Sequence, residues 1–403
     1  MAEEVWMLQT KKADFKQIGA RFRIDPVTAR IIRNRGIEGE AAIDRYLNGT
    51  LDDLYDPMLL KDMERAVSIL CEAVDTGKKI RIVGDYDIDG VCSTYILLQA
   101  FERLGSDVDF EIPDRIKDGY GINESIIEQA HADGVEVILT CDNGISAFHQ
   151  VELAKKYGMT VVITDHHEVP LDGEKEKIPP ADAVIDPKQA DCPYPFPEIC
   201  GAVVAYKLVQ VLYARRGVPQ MEWLDLLEFA AIATVGDVMK LQDENRILVK
   251  YGLKKMAQTK NLGLRRLAEK NNLDLGAITA YHIGFVIGPC LNAGGRLKTA
   301  KEALALLRAQ SEEEAERLAE ELKELNDTRK DMTEQGTEAA KLQVESWYQK
   351  DKVLVVFLPE CHESLAGIIA GRLREYYQKP AIVLTRGEEA VKGSGRSIDE
   401  YHM

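Results

Sequence analysis

The sequence predicts an α/β protein: a doubly wound, mostly parallel sheet joined by a long helix to a second, smaller α/β unit. Three observations carry this expectation. Between residues 60 and 240, short β-branched runs alternate with helical periods. Reactive side chains recur just after those runs, where ligands collect in open parallel sheets. A highly charged helical stretch then separates this region from a second strand–helix–strand pattern.

Residues 1–55 read as a polar helical cap or arm. Asp25-Pro26 predicts a helix start, with Ile24, Val27, Ile31 and Ile32 as its buried stripe. The main unit is expected over 56–240. It alternates helix Met63–Val74, strand 79–84, helix 90–104, strand Val108–Ile112, helix Glu124–Ala132 and strand Val135–Cys141, and continues with helix Ala147–Tyr157, strands Thr160–Thr164 and Ala183–Ile185, and apolar helix Leu224–Thr234. A helical connector follows over 241–348, read as short helices with glycine breaks around Gly288–Leu297 and then one long helix opened by the capping-box pattern Ser311-Glu-Glu-Glu314. That helix is too polar on most faces for a core, so it reads as a link between units, with a solvated arm as the alternative. A partial domain is expected over 349–403: strand Val353–Leu358, an apolar helix to Tyr376, strand Ala381–Thr385 and a strand edge or turn at Lys392–Ile398. It is short for an α/β unit and reads as truncated.

Bulk composition narrows the classes. At 403 residues, 45% hydrophobic and 29% charged, the chain fits two or three globular domains. No apolar run is long enough to span a bilayer. The seven cysteines form no C-x-x-C pair, which predicts reduced thiols and a cytoplasmic protein. A net charge of −16 argues against indiscriminate coating of nucleic acid, although not against a nucleic-acid enzyme with a local basic groove.

The sharpest signal is Gly84-Asp-Tyr-Asp-Ile-Asp-Gly90. Three carboxylates in five residues repel unless a cation lies among them. An EF-hand loop fails here, because its twelfth position is Ile96 and a strand precedes Asp85. A helix cap needs only one of the three aspartates. Other strand ends deliver Asp142, then Asp165-His166-His167, then Asp186, and the apolar helix ends in Gly236-Asp237. Asp85, Asp87, Asp89, Asp142, His166, His167 and Asp237 are too many ligands for one ion, and Asp165 can orient one of the histidines. Mixed carboxylate–imidazole ligation suits manganese, and less exclusively magnesium, zinc or iron. Two ions about 3.5–4 Å apart are the arrangement for phosphoryl chemistry. Neither a P-loop nor a Ser-His-Asp pattern competes.

Gly84–Gly90, Thr140-Cys-Asp-Asn-Gly144, Thr164-Asp-His-His167 and Val235-Gly-Asp237 resemble the motifs of the DHH phosphoesterase superfamily. The resemblance extends to the RecJ-type single-strand-specific exonucleases through Ala29–Gly36, Gly288–Leu297, His362–Leu373 and Gly393–Ser397, the last three similar to the DHHA1 substrate-binding domain. It implies two manganese ions on the seven ligands, with Asp142 bridging and Asp142, His166 and His167 at the reacting centre. It implies stepwise 5′→3′ hydrolysis of single-stranded DNA to mononucleotides, in repair and recombination, with a helicase or single-strand-binding protein as partners. Asn292, Arg296, His362, Arg372, Ser394, Arg396 and Ser397 would hold substrate. Gly393–Ser397 reads as an anion-binding loop of exposed amides, hydroxyls and one arginine. Three features depart from the family pattern: Val83 stands where many members carry a histidine, Cys290 stands where RecJ-type chains often carry arginine, and the glycine-histidine-rich segment and OB-fold are missing. Two other functions fit part of the pattern: a DHH hydrolase of pyrophosphate, short oligoribonucleotides or cyclic dinucleotides, and a catalytically silent replication scaffold.

Overall fold

A computed structural model describes residue 7, residues 11–387 and residues 390–403. Three short helices lead: α1 (Phe15–Phe22), α2 (Pro26–Asn34) and α3 (Glu40–Asn48). Asp25 caps α2 by accepting the Val27 N–H at 2.7 Å, and Pro26 occupies the first turn, where no amide is needed. The buried stripe of α2 differs from the expected one. Ala29 and Ile32 are buried, whereas Val27 and Ile31 face solvent. Ile32 joins Ile37 and Ile43 in a small core with Ile24 packed against it, as expected, while positions 27 and 31 share the outward ridge.

After α4 (Met63–Asp75) the chain alternates through β1 (Ile80–Val83), α5 (Ile88–Arg103), β2 (Val108–Glu111), α6 (Glu124–Ala132), β3 (Val137–Cys141), α7 (Phe148–Lys156) and β4 (Thr160–Thr164). A small hairpin, β5 (Leu171–Asp172) and β6 (Lys175–Glu176), precedes β7 (Ala183–Ile185). The sheet is fully parallel, in the order β2-β1-β3-β4-β7. Its direction of winding reverses between β1 and β3, and a crevice opens there beyond the carboxyl ends. Both faces are covered, so the central strands are apolar throughout rather than alternating. Ile82, Leu139 and Val162 lie in the core on one face, and Val83, Ile138 and Ile163 in the core with α6 and α7 on the other.

Four helices follow: α8 (Gly201–Arg216), α9 (Gln220–Leu224), α10 (Leu227–Gly236) and α11 (Asp243–Met256). The sequence reading had no α8, yet it packs beside α5 and α10 at the centre of the unit and is buried almost all round. Its one buried cation, Lys207, pairs with Glu244 at 3.0 Å and donates to the Tyr55 carbonyl, while the Tyr194 hydroxyl also donates to Glu244. The leading helices dock on α11, where Lys250 donates to the Gly49 carbonyl at 3.1 Å and Arg45 meets Asp243 at 3.1 Å.

The connector contains α12 (Leu262–Lys270), α13 (Ala280–His282), a π-helical turn Ile283–Ile287, α14 (Gly288–Leu297) and α15 (Lys301–Leu307). The expected short helices are present, although the glycines of Gly288–Leu297 do not break them: 280–297 is one helical rod. Its glycines serve close approach instead, since a Cβ on Gly295 would collide with the Tyr86 carbonyl. Next comes α16 (Glu312–Gln343), whose Ser311 Oγ accepts the Glu314 N–H at 3.1 Å; the Glu314 carboxylate reaches back to the Gln310 N–H, not to Ser311.

The remaining elements are β8 (Leu354–Phe357), α17 (Glu363–Tyr377), β9 (Ala381–Arg386) and β10 (Val391–Arg396). They form a three-stranded sheet, β8 parallel and β10 antiparallel to β9, with α17 against it. Helix α16 runs for 32 residues, about 48 Å at the α-helical rise. Leu318 and Leu322 belong to the core of the large unit, and Ala340 to that of the small one. A solvated arm is therefore excluded. Of the two readings of Lys392–Ile398 the strand edge holds through Arg396, since β10 pairs in register with β9. All seven cysteines are free thiols, and no helix among the described residues is long and apolar enough to cross a membrane.

Candidate metal centre

The carboxyl ends of β1, β3 and β4, with the end of α10, meet in the crevice at the sheet's switch point. Asp87 is the N-cap of α5, its Oδ1 accepting the amides of Asp89 (2.9 Å) and Gly90 (3.2 Å). Asp85 is buried and accepts the Gly121 N–H at 3.3 Å. Asp89, in the first turn of α5, is fully buried. It accepts the Gly201 and Ala202 amides at 2.7 Å each, so the positive end of α8 neutralises part of its charge.

Asp142 leaves β3 in the left-handed region (φ +61°), which aspartate tolerates better than most residues. Asn143 beside it rivets the strand ends: its Nδ2 donates to the Val83 and Cys141 carbonyls at 3.0 and 2.9 Å, and its Oδ1 accepts the Ile122 N–H. After β4, Asp165 accepts the Ile145 amide through Oδ2 (2.9 Å), and through Oδ1 the His166 amide and the His167 Nδ1–H (both 2.8 Å). That bond keeps the proton on Nδ1, so Nε2 is the nitrogen that can give up its proton to face a cation.

His166 Nε2 stands 3.0 Å from Asp142, 3.4 Å from Asp89 and 3.9 Å from Asp237. Three overlapping triads result, each with donor atoms within 4.8 Å of one another: Asp85–Asp87–Asp142, Asp142–His166–His167 and Asp89–His166–Asp237. Asp142 and His166 each belong to two of them. All seven expected ligands are thus gathered. Asp186 accepts the Lys188 amide at 2.8 Å and belongs to none of the triads.

The electrostatics define what this cluster lacks. Burial, then the charge of Asp87, pushes Asp85 up to about 7. Burial, then Asp89 and Asp87, does the same to Asp237, also to about 7. Asp87 and Asp142 are raised by burial and by the neighbouring carboxylates. Burial pulls His167 down, but its hydrogen bond to Asp165 and that group's charge dominate and bring it to about 9. Asp142 Oδ1 is buried without a hydrogen bond. An orphaned carboxylate oxygen among mutually repelling acids, with imidazole beside them, fits hard or borderline divalent cations.

Sequence reasoning missed five contributors. Tyr120 donates to the Asp142 carbonyl at 2.9 Å and lies edge-on to His167. Arg115 stacks 4.7 Å over Tyr86. Both come from Asp114–Gly121, a charged glycine-rich segment after β2, and its position at the same sheet edge was the available signal. Asn143 looked like ordinary turn chemistry. The Gly201 and Ala202 amides carry no side-chain signature.

Arg296 of α14 links this cluster to the small unit. Arg296 is largely buried; burial, then Arg115 and Arg329, pulls its guanidinium down to about 10, against the opposing charge of Asp87. It donates to the Ser364 carbonyl at 3.0 Å. His362 caps α17, and its Nδ1 lies 2.8 Å from Ser364 Oγ. Ser394 and Arg396 lie over Gly367, where a Cβ would meet them at 2.9 and 2.7 Å. Four of the expected substrate residues therefore collect at the first turns of α17. Asn292 lies one helical turn before Arg296, half-buried. The other two are placed differently: Arg372 shares a groove with Glu334, Glu338 and Glu375, a poor setting for phosphate, and Ser397 Oγ accepts the Met403 amide.

A parallel sheet with carboxylates and paired histidines at its switch point defines an α/β protein built around a multi-ligand metal centre, and residues 79–234 match the DHH family, N-terminal domain. The chain is 36% identical to the single-stranded-DNA-specific exonuclease RecJ of Bacillus subtilis over 99% of its own length and 50% of that relative's. Against the Haemophilus influenzae RecJ it is 35% identical, covering 96% of this chain and 68% of the relative. The crystal structure of Thermus thermophilus RecJ in complex with Mn2+ superposes with a TM-score of 0.79 at 30% identity, over 95% of this chain and 53% of that one; a second RecJ structure from that organism contains Mg2+. This chain belongs to the RecJ family. It spans about half the length of the Bacillus subtilis relative.

Proposed function

We propose that this chain is a 5′→3′ exonuclease that hydrolyses the phosphodiesters of single-stranded DNA to mononucleotides with two divalent ions, manganese foremost. The observation that carries the reading is the sharing of Asp142 and His166 between overlapping triads, which suits two adjacent ions rather than one. The ions when bound would supply Lewis acidity. The chain's own residues do the rest. Asp85, Asp87 and Asp142 would make one ligand set and Asp89, His166 and Asp237 another, with His167 beside Asp142 and His166 and Asp165 holding its ring. Arg296, Ser394 and Arg396 grip the terminal phosphate, and Tyr120 keeps the Asp142 main chain in place.

The test is incubation with manganese and 5′-phosphorylated single strands, duplexes and short RNA. Mononucleotides released from the 5′ end of the single strand are the expected product. Turnover confined to diribonucleotides or pyrophosphate would overturn the substrate assignment, and no turnover of any substrate would favour the silent scaffold.

A further inference from the structure

Beside Asp237 the surface turns apolar. Val238 follows it in the left-handed region (φ +58°) and is 86% exposed. The π-helical turn packs against this end of α10: a Cβ on Gly284 would meet Val235 Cγ1 at 3.7 Å, and one on Gly288 would meet Cδ1 of Ile88 at 3.3 Å. Val235 lies two residues before Asp237, and Ile88 lies between Asp87 and Asp89, so the turn and the start of α14 pack on the helices that carry these ligands. Phe285 projects from the turn and Tyr281 from α13 just before it, 68% and 64% exposed. Their rings stack with centroids 4.7 Å apart and planes at 28°. Leaving two large aromatic rings in water forfeits burial energy, and π-helical turns recur at functional sites.

We propose that Tyr281 and Phe285 form a base-stacking platform that receives the unpaired bases of the strand on the Asp237 side of the centre. The proposal rests on the nuclease reading above. Continuity with the centre argues for nucleic acid as the occupant, because Gly284, next to Phe285, packs on Val235, two residues before Asp237, and places the rings beside the path of a strand whose phosphate lies among the ligands. Charge agrees: the guanidiniums of Arg115 and Arg296 gather on the Asp87 side, so phosphates are held there and bases remain for the uncharged rings. Stacking also selects single strands, since every unpaired base offers a free π-face and a duplex offers none.

The test compares wild type with the double variant Tyr281→Ala/Phe285→Ala on a 3′-labelled single strand and on bis(p-nitrophenyl) phosphate, which is too small to reach the platform. The expected result is a KM for DNA raised roughly tenfold or more, with any loss on the small diester about an order of magnitude smaller. Tyr281→Phe/Phe285→Trp should restore the wild-type KM. Abasic sites along the strand should raise the wild-type KM to that of the double variant and leave the variant unchanged. A KM within roughly twofold of wild type, or equal losses on both substrates, overturns the platform. Wild type that cleaves no single strand defeats the nuclease reading itself, before any substitution is compared.

Discussion

Gly201 lies so close to Asp142 that a Cβ on it would stand 2.7 Å from the Asp142 Cβ and 2.9 Å from its Oδ1, while the Gly201 amide donates to Asp89 at 2.7 Å. One glycine thus sets the spacing of two carboxylates from different strand ends. Gly201→Ala should displace Asp142, destabilise the protein by about 1–3 kcal/mol and weaken manganese binding by roughly an order of magnitude. Calorimetric titration with manganese and urea unfolding in EDTA would measure both. An unaltered manganese affinity would show that the contact does not position Asp142.

Stability without metal should fall as pH rises. Asp85 and Asp237 titrate near 7 in the folded chain, against an ordinary value of 3.8, because burial and like charge favour their neutral forms. Between about pH 4 and 7 the folded state therefore holds more protons than the unfolded one. The stability they contribute is complete below pH 4 and is lost as pH rises through 7. Thermal midpoints in EDTA should drop from pH 5 to pH 8, and the midpoint gain on adding manganese should grow over the same interval. A flat profile in EDTA would contradict the crowding of charge described here.

Asp142→Asn separates fold from chemistry. Asparagine also tolerates a positive φ, so the turn survives. The variant should unfold at a higher temperature than wild type at pH 8 in EDTA, gain little from manganese, and lose turnover by about three orders of magnitude or more, since the shared ligand is gone. A variant no more stable than wild type in EDTA would mean that Asp142 is not repelled by its neighbours.

The Lys207–Glu244 pair should behave as a buried salt bridge. Lys207→Met leaves Glu244 charged and enclosed, at a cost of about 3–5 kcal/mol. Adding Glu244→Gln should recover part of that loss, because the Tyr194 hydroxyl still has an acceptor. The comparison requires denaturant unfolding of both variants. Additive losses would place the two residues in independent roles.

The parallel sheet and its strand-end ligands were legible because they follow from local rules: β-branched runs mark the strands, and carboxylates crowded after them have few structural uses. Helix α8 was not, since its apolar residues recur all round and show no helical period, and the amides it offers Asp89 belong to the backbone. The stripe of α2 was half legible: Ile24 and Ile32 pack on the small core, whereas Val27 and Ile31 have helical spacing but lie on the outward ridge. Lys392–Ile398 stayed open between strand edge and turn because glycine and serine are poor strand formers, and pairing with β9 is what imposes the extended backbone.

The left-handed backbone at Asp142 narrows the mutational routes open to this family. Asparagine is the replacement that keeps both the turn and the side-chain shape, and a single nucleotide change in either aspartate codon produces it. An inert but well-folded relative is therefore one step away from any active ancestor. The way back stays open while asparagine remains and closes once a β-branched residue forces the turn to rebuild, because restoring the carboxylate alone would no longer restore its direction.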